Sequence, residues 1–229
     1  MKHRFQLPIW LLVGLLLATP GFAGSWKQTA RFLDRAISES SGVVFSRRYE
    51  NAFWTHNDSG HSPRLYLALL NSGKTQGILE VEGARSGDWE DMTFLKRDGD
   101  GFLVVGNVGS HQRGRGGQRE ILMVKESLVS SSGQGPWRLE IPAWAQLTFT
   151  IPSSGFDCEA IMADPQSGML YLLSKTKGEK CGLYSLTLPT RQGTHQAPLT
   201  LITQLDLPLV TAGDFSADGS RLVVLSYLM

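Results

Sequence analysis

Asp91-Met92-Thr93-Phe94-Leu95 is an apolar-rich run, Asp98-Gly99-Asp100-Gly101 is a turn, and Phe102-Leu103-Val104-Val105 is a second run. Short stretches of strand-forming residues separated by Asp and Gly have the composition of a hairpin. The figure returns downstream as Glu159-Ala160-Ile161-Met162-Ala163, then Asp164-Pro165-Gln166-Ser167-Gly168, then Tyr171-Leu172-Leu173. It returns again around Ala217-Asp218-Gly219-Ser220, with Val223-Val224-Leu225 as the second run. Upstream, Phe53-Trp54-Thr55 holds the same place after the turn Tyr49-Glu50-Asn51.

Two more apolar runs follow each of the first three hairpins. Residues 42–46, 52–55, 65–70 and 77–81 make one round, and residues 91–95, 102–105, 120–124 and 147–151 the next. The third round is 159–163, 169–174, 181–186 and 199–205, and a fourth opens at 213–216 and 221–227, where the chain stops. Four strands per unit, restarting roughly every 50 residues, indicate propeller blades. The expected fold class is all-β: a β-propeller of four-stranded antiparallel blades, with about three and a half blades present. Propellers close with about four to eight blades. The expectation is therefore a shortened form of a longer ring, incomplete at its C-terminus; the alternative is a four-bladed ring with an unfinished last blade. Polar inserts at 111–118 and 130–136 belong in loops. Residues 26–38 read as one short helix, with Phe32, Leu33 and Ile37 on one side.

The first residues read as a secretory signal over 1–23: basic Lys2, His3 and Arg4, an apolar run at 9–17, and Gly21-Phe22-Ala23 at the cleavage position. That run is shorter than the roughly 20 residues of a membrane span. An uncleaved anchor is the alternative. The expectation is an exported protein, periplasmic or secreted, whose propeller domain occupies 24–229 and which needs no membrane after cleavage. The net charge of +1 points to no nucleic acid partner. With 25 glycines and only 19% charged residues, the composition suits turn-rich β structure. Cys158 and Cys181 are the two cysteines, and an oxidising compartment permits a disulfide between them. Like ends of first and third strands lie about 9–10 Å apart, beyond the about 7 Å a disulfide spans. A disulfide and two buried thiols both remain open.

In a propeller the first strand of each blade lines the central channel. The polar groups beside those strands are His56-Asn57-Asp58-Ser59-Gly60, Asp88-Trp89-Glu90-Asp91, Gly106-Asn107-Val108-Gly109, Asp157-Cys158-Glu159-Ala160 and Thr211-Ala212-Gly213-Asp214. They are placed to converge on one mouth of the channel. Trp54-Thr55-His56-Asn57-Asp58-Ser59-Gly60, Asp88-Trp89-Glu90-Asp91-Met92 and Glu159-Ala160 resemble the motifs of an uncharacterised family of exported bacterial β-propellers. Those proteins carry Trp-x-x-Asn-Asp-Ser-Gly, Asp-Trp-Glu-Asp-Ile/Met, Gly-Asp-x-Gly-Asp-Asn and Glu-Ala. They are reminiscent of six-bladed calcium-dependent propellers and, more distantly, of phytase-like ones. The resemblance runs from about Ser38 to the end and implies an exported propeller of six blades, without a known reaction. The third motif departs from the pattern, reading Gly106-Asn107-Val108-Gly109-Ser110-His111, with fewer carboxylates for a hard cation.

Several readings of these residues stay open. In the first, Asn57, Asp58, Asp88, Glu90, Asp91, Asn107, Glu159 and Asp214 hold calcium, which takes six to eight oxygens in flexible geometry. In a second they only satisfy loop N–H groups. In a third the protein is a calcium-dependent phosphoester or lactone hydrolase, with Glu90 or Asp91 paired to Glu159 as acid and base. A transition metal on His56, His61 and His111 finds no ligand-like spacing. A propeller face binding a small molecule or a protein competes with catalysis, and so does a truncated chain without activity.

Overall fold

The computed structural model describes Gln28 and residues 30–110, 117–129, 136–152, 156–178 and 180–227. The signal segment 1–23, most of the insert at 111–118, most of that at 130–136, and Trp26 lie outside these residues. The described chain is all-β, in several sheets with almost no helix.

The first sheet comprises β1 (Ser40–Phe45), β2 (Ala52–Asn57), β3 (Arg64–Leu69) and β4 (Thr75–Glu82), each antiparallel to the next. The second holds β5 (Trp89–Arg97), β6 (Asp100–Asn107) and β7 (Gln118–Lys125). A single 3₁₀ turn, Glu126–Leu128, follows β7. Next comes β8 (Trp137–Pro142), which leaves the second sheet and pairs in parallel with β4 as a fifth strand of the first. β9 (Ala145–Thr150) returns to β7. The third sheet is β10 (Cys158–Ala163), β11 (Met169–Ser174), β12 (Cys181–Thr187) and, after an excursion, β14 (Thr200–Leu205). That excursion, β13 (Gly193–Gln196), pairs in parallel with β9 and makes the second sheet five-stranded. β15 (Val210–Phe215) and β16 (Leu222–Ser226) form a last pair.

The sheets stack face to face in chain order. Trp54, Leu65, Leu67 and Leu79 of the first meet Leu103, Val105, Leu122 and Val124 of the second. The other face of the same strands, through Phe102, Val104, Ile121 and Met123, meets Ile161, Leu170 and Leu172 of the third. Ala160, Met162 and Leu173 then face Val210, Phe215 and Val224. Burial of both faces explains why β6 and β11 carry unbroken apolar runs rather than alternating ones. The inner strands β1, β5, β10 and β15 lie side by side in that order. Apolar side chains on the first and last sheets remain exposed, among them Val43 and Phe45 on β1 and Val223 and Leu225 on β16.

Two expectations are corrected, and one open question is decided. Residues 30–38 form no helix. Their backbone groups bond elsewhere: Leu33 N–H donates to Gly73 O, Ala36 N–H to Asp34 Oδ1, and Ser38 and Glu39 N–H to Asn57 Oδ1. Two strands, β8 and β13, arise between the expected runs, where none was expected. The disulfide is absent: Cys158 and Cys181 are separate buried thiols.

Candidate carboxylate site at the inner strand starts

Every inner strand breaks register at its first residues. The pairing shifts between Ser40 and Val43, Trp89 and Asp91, Cys158 and Ala160, and Val210 and Ala212. Each break is a β-bulge, which leaves a residue outside the ladder and re-aims its side chain. In β5 and β10 that residue is a glutamate, Glu90 or Glu159. Two residues before each stands an aspartate, Asp88 or Asp157. Its carbonyl accepts from the residue just past the second strand: Val108 N–H donates to Asp88 O, and Lys175 N–H to Asp157 O. The arrangement is therefore repeated in two adjacent sheets by the same backbone device.

The result is a concentration of carboxylates. Oxygens of Asp58, Asp88 and Glu90 lie within 4.8 Å of one another, as do those of Glu90, Asp157 and Glu159. Glu90 belongs to both groups and is only 6% exposed. Among the described residues no donor reaches its carboxylate, and its backbone carbonyl accepts from Ser41 Oγ. Burial, and then the charges of Glu159, Asp58, Asp88 and Asp157, push the Glu90 pKa up to about 10. Glu159 is raised too, first by burial, although Lys175 Nζ lies 2.9 Å from its Oε1 and opposes the shift. Burial lowers the Lys175 ammonium, but Glu159, Asp157 and Glu90 outweigh it and hold it above its ordinary value. Gly109 closes the floor, where an added Cβ would collide with Glu90 Oε1 and Asp88 Oδ2.

Of the residues singled out in the sequence, Asp58, Asp88, Glu90 and Glu159 come together. Four others do not. Asn57 accepts from Ser38 and Glu39 N–H and donates to Ala36 O, which ties down the entry to β1. Asn107, at the same place in β6, accepts from Asp88 N–H and donates to Glu120 Oε1. Asp91 turns inward: it accepts from Met92 N–H at 2.8 Å and from Ile161 N–H at 3.0 Å, joining β5 to β10. Its pKa is raised to about 8 by burial, against those two backbone bonds. Asp91 belongs to neither of the two carboxylate groups. Asp214 lies further along the inner strands, accepting from Thr93 Oγ1 and Phe215 N–H.

The histidines do not assemble. His56 is fully buried, its ring edge-on to Trp89 at 5.6 Å, and burial lowers its pKa to about 4. His61 pairs with Glu39 at 3.1 Å. His111 lies outside the described residues. Two site residues, Asp157 and Lys175, are absent from the ligand set expected from sequence, although Asp157 stands among the polar groups beside the inner strands. The signal for Asp157 is the spacing Asp-x-Glu, present at both Asp88–Glu90 and Asp157–Glu159.

Four carboxylates from three segments around one buried glutamate suit a hard cation that accepts irregular oxygen geometry. The residues present therefore fit calcium, with Glu90 central and Asp58, Asp88, Asp157 and Glu159 around it.

No family model matches the chain, and no curated protein matches it. Among solved structures it is similar to an auxiliary nutrient binding protein from Bacteroides thetaiotaomicron, at 10% identity and a TM-score of 0.46, over 86% of this chain and 42% of that one. It is also similar to Drosophila Plexin A in complex with Semaphorin 1b, at 12% identity and 0.45, over 88% of this chain and 57% of that one. For Hsv2 of Kluyvelomyces marxianus the figures are 10% and 0.34, over 73% and 46%. The chain spans about half the length of these structures. Likeness at this level identifies neither a family nor an activity.

Proposed function

We propose that this chain is an exported β-propeller protein that binds a ligand or protein partner at one channel mouth, around a calcium ion held by Asp58, Asp88, Glu90, Asp157 and Glu159. Export rests on the signal-like segment 1–23. The propeller reading rests on the stacked sheets and their adjacent inner strands. One observation carries the calcium reading: Glu90 is buried, lacks a donor among the described residues, and is surrounded by four more carboxylates. A buried ionised carboxylate is costly unless paired. Without a cation the cluster relieves itself by keeping a proton on Glu90; a divalent cation takes that proton's place. When bound, calcium supplies a positive centre to which an oxygen of the partner can attach. Glu90 and Glu159 orient the inner side of that site, and Lys175 restrains Glu159.

Isothermal titration with calcium and with magnesium tests this reading. Calcium is expected to bind more tightly, because magnesium demands near-ideal octahedral geometry. Asp157→Asn is expected to weaken calcium binding by about tenfold or more, the loss of one charged ligand. Absence of binding in the unaltered protein contradicts the reading.

A hydrolytic reading has its own support: Glu90, holding its proton at neutral pH, stands beside the Glu159 carboxylate within 4.8 Å. That is an acid and a base in reach of one substrate. Turnover of a phosphoester or a lactone by the cation-free protein, abolished in Glu90→Gln, is the outcome that favours it.

A further inference from the structure

Beyond the carboxylates, at the other ends of the inner strands, the molecule has a second open space. A cavity of about 540 Å³ lies between the segment after β1, the β5–β6 hairpin, the β10–β11 turn and the β15–β16 hairpin. Arg47, Arg48 and Lys96 line it, beside the rings of Phe94 and Phe215. The Arg47 guanidinium stands 5.5 Å over the Phe94 ring centre. None of the three cations forms an ion pair among the described residues.

The carboxylates in the wall are already engaged. Glu126 accepts from Ser46 Oγ, Arg47 N–H and Trp54 Nε1. Asp214 accepts from Thr93 Oγ1 and Phe215 N–H. The cations therefore outnumber the acids, and their donors are uncommitted while the acceptors are used internally. The volume falls in the range of small-molecule sites, about 300–1,000 Å³.

We propose that this cavity binds a small aromatic carboxylate. Arginine matches a carboxylate through two parallel N–H donors. The flat apolar body of such a ligand packs on Phe94 and Phe215 and adds to the Arg47–Phe94 stack. An inorganic anion would satisfy the cations and leave the rings unused; an uncharged aromatic would do the reverse. The site does not rest on the calcium reading, because its residues come from the other ends of the same strands.

The test is isothermal titration of the full chain, with EGTA present, against naphthalene-2,6-dicarboxylate, naphthalene-2,6-dimethanol and inorganic phosphate. The dicarboxylate is expected to bind at sub-millimolar concentration, and the other two about tenfold or more weakly, since each lacks one of the two contacts. Arg48 and Lys96 are both exposed, so Arg48→Ala and Lys96→Ala are expected to leave the melting temperature unchanged. Each is expected to weaken the dicarboxylate by about tenfold. Raising the salt to about 0.5 M is expected to weaken it further by screening. The proposal is overturned if the dicarboxylate fails to bind at about 10 mM. It is also overturned if phosphate or the dimethanol binds equally well, or if either variant binds undiminished. Because EGTA removes calcium throughout, none of these results depends on the carboxylate site.

Discussion

Replacing Glu90 by glutamine separates the charge of this residue from its shape. The wild-type side chain is only 6% exposed and has its pKa raised from 4.5 to about 10, first by burial and then by its four acidic neighbours. A carboxyl group whose pKa is higher in the folded state stabilises the fold fully below its unfolded pKa. That stabilisation is lost as pH rises towards the folded value. In the cation-free protein each pH unit between these limits costs up to about 1.4 kcal/mol. For a domain of this size that is a fall of about 3–6 °C in Tm per unit. Glutamine does not titrate, so Glu90→Gln is expected to flatten this slope and to melt above wild type at pH 8 in EGTA. Calcium should reverse the order. At about one hundred times its Kd, it adds about 2.7 kcal/mol to the wild type, or about 5–10 °C. The variant, lacking the central ligand, should gain far less. Thermal melts followed by circular dichroism from pH 5 to 9, with EGTA or with calcium, measure all of these quantities. Parallel pH slopes for the two proteins in EGTA, together with equal stabilisation by calcium, would refute the reasoning.

Other outcomes follow from individual contacts. Glu126→Ala strips the acceptor from Ser46 Oγ, Arg47 N–H and the buried Trp54 Nε1, and should cost about 3 kcal/mol in denaturant unfolding. A loss under about 0.5 kcal/mol would contradict its bridging role. Gly109→Ala forces a methyl against Glu90 and Asp88 and should abolish calcium binding while leaving the far-UV spectrum intact; unchanged affinity would show that the floor yields. Cys158 and Cys181 are free and buried, and burial raises both thiols. Iodoacetamide is therefore expected to label both only after unfolding, and an intact disulfide in the mass spectrum would contradict the fold.

Much of the strand order was legible because both faces of the middle strands are covered. That requirement leaves continuous runs such as Leu103-Val104-Val105 and Leu172-Leu173, bounded by turns of Asp, Gly and Pro. Strand β13 was not legible: Gly193-Thr194-His195-Gln196 has no apolar alternation and is held by parallel pairing to β9 alone. Strand β8 does alternate, but its partner β4 lies in the preceding sheet, a pairing that no local pattern announces. Residues 30–38 carry a helical spacing of apolar side chains. Asn57 and Gly73 nevertheless offer their backbone groups better-placed partners.

The candidate site was half legible. Asp58, Asp88, Glu90 and Glu159 follow from their position beside inner strands. Sequence does not tell which way a carboxylate turns when two are adjacent. The bulge sends Glu90 into the carboxylate cluster and leaves Asp91 accepting from Ile161 N–H. The same bulge in β10 brings in Asp157, and the residue after β11 brings in Lys175. Asn57 and Asn107 look like neutral ligands in one dimension, but in the fold their amide oxygens are spent on backbone N–H groups.

The central claim is that calcium replaces a proton held by the buried Glu90 carboxyl. Calorimetric titration of calcium at pH 7, in two buffers of different ionisation enthalpy, counts the protons released on binding. The account predicts one calcium per chain and close to one proton released, with the release lost in Glu90→Gln. Calcium that does not bind, or binds without releasing a proton, contradicts it.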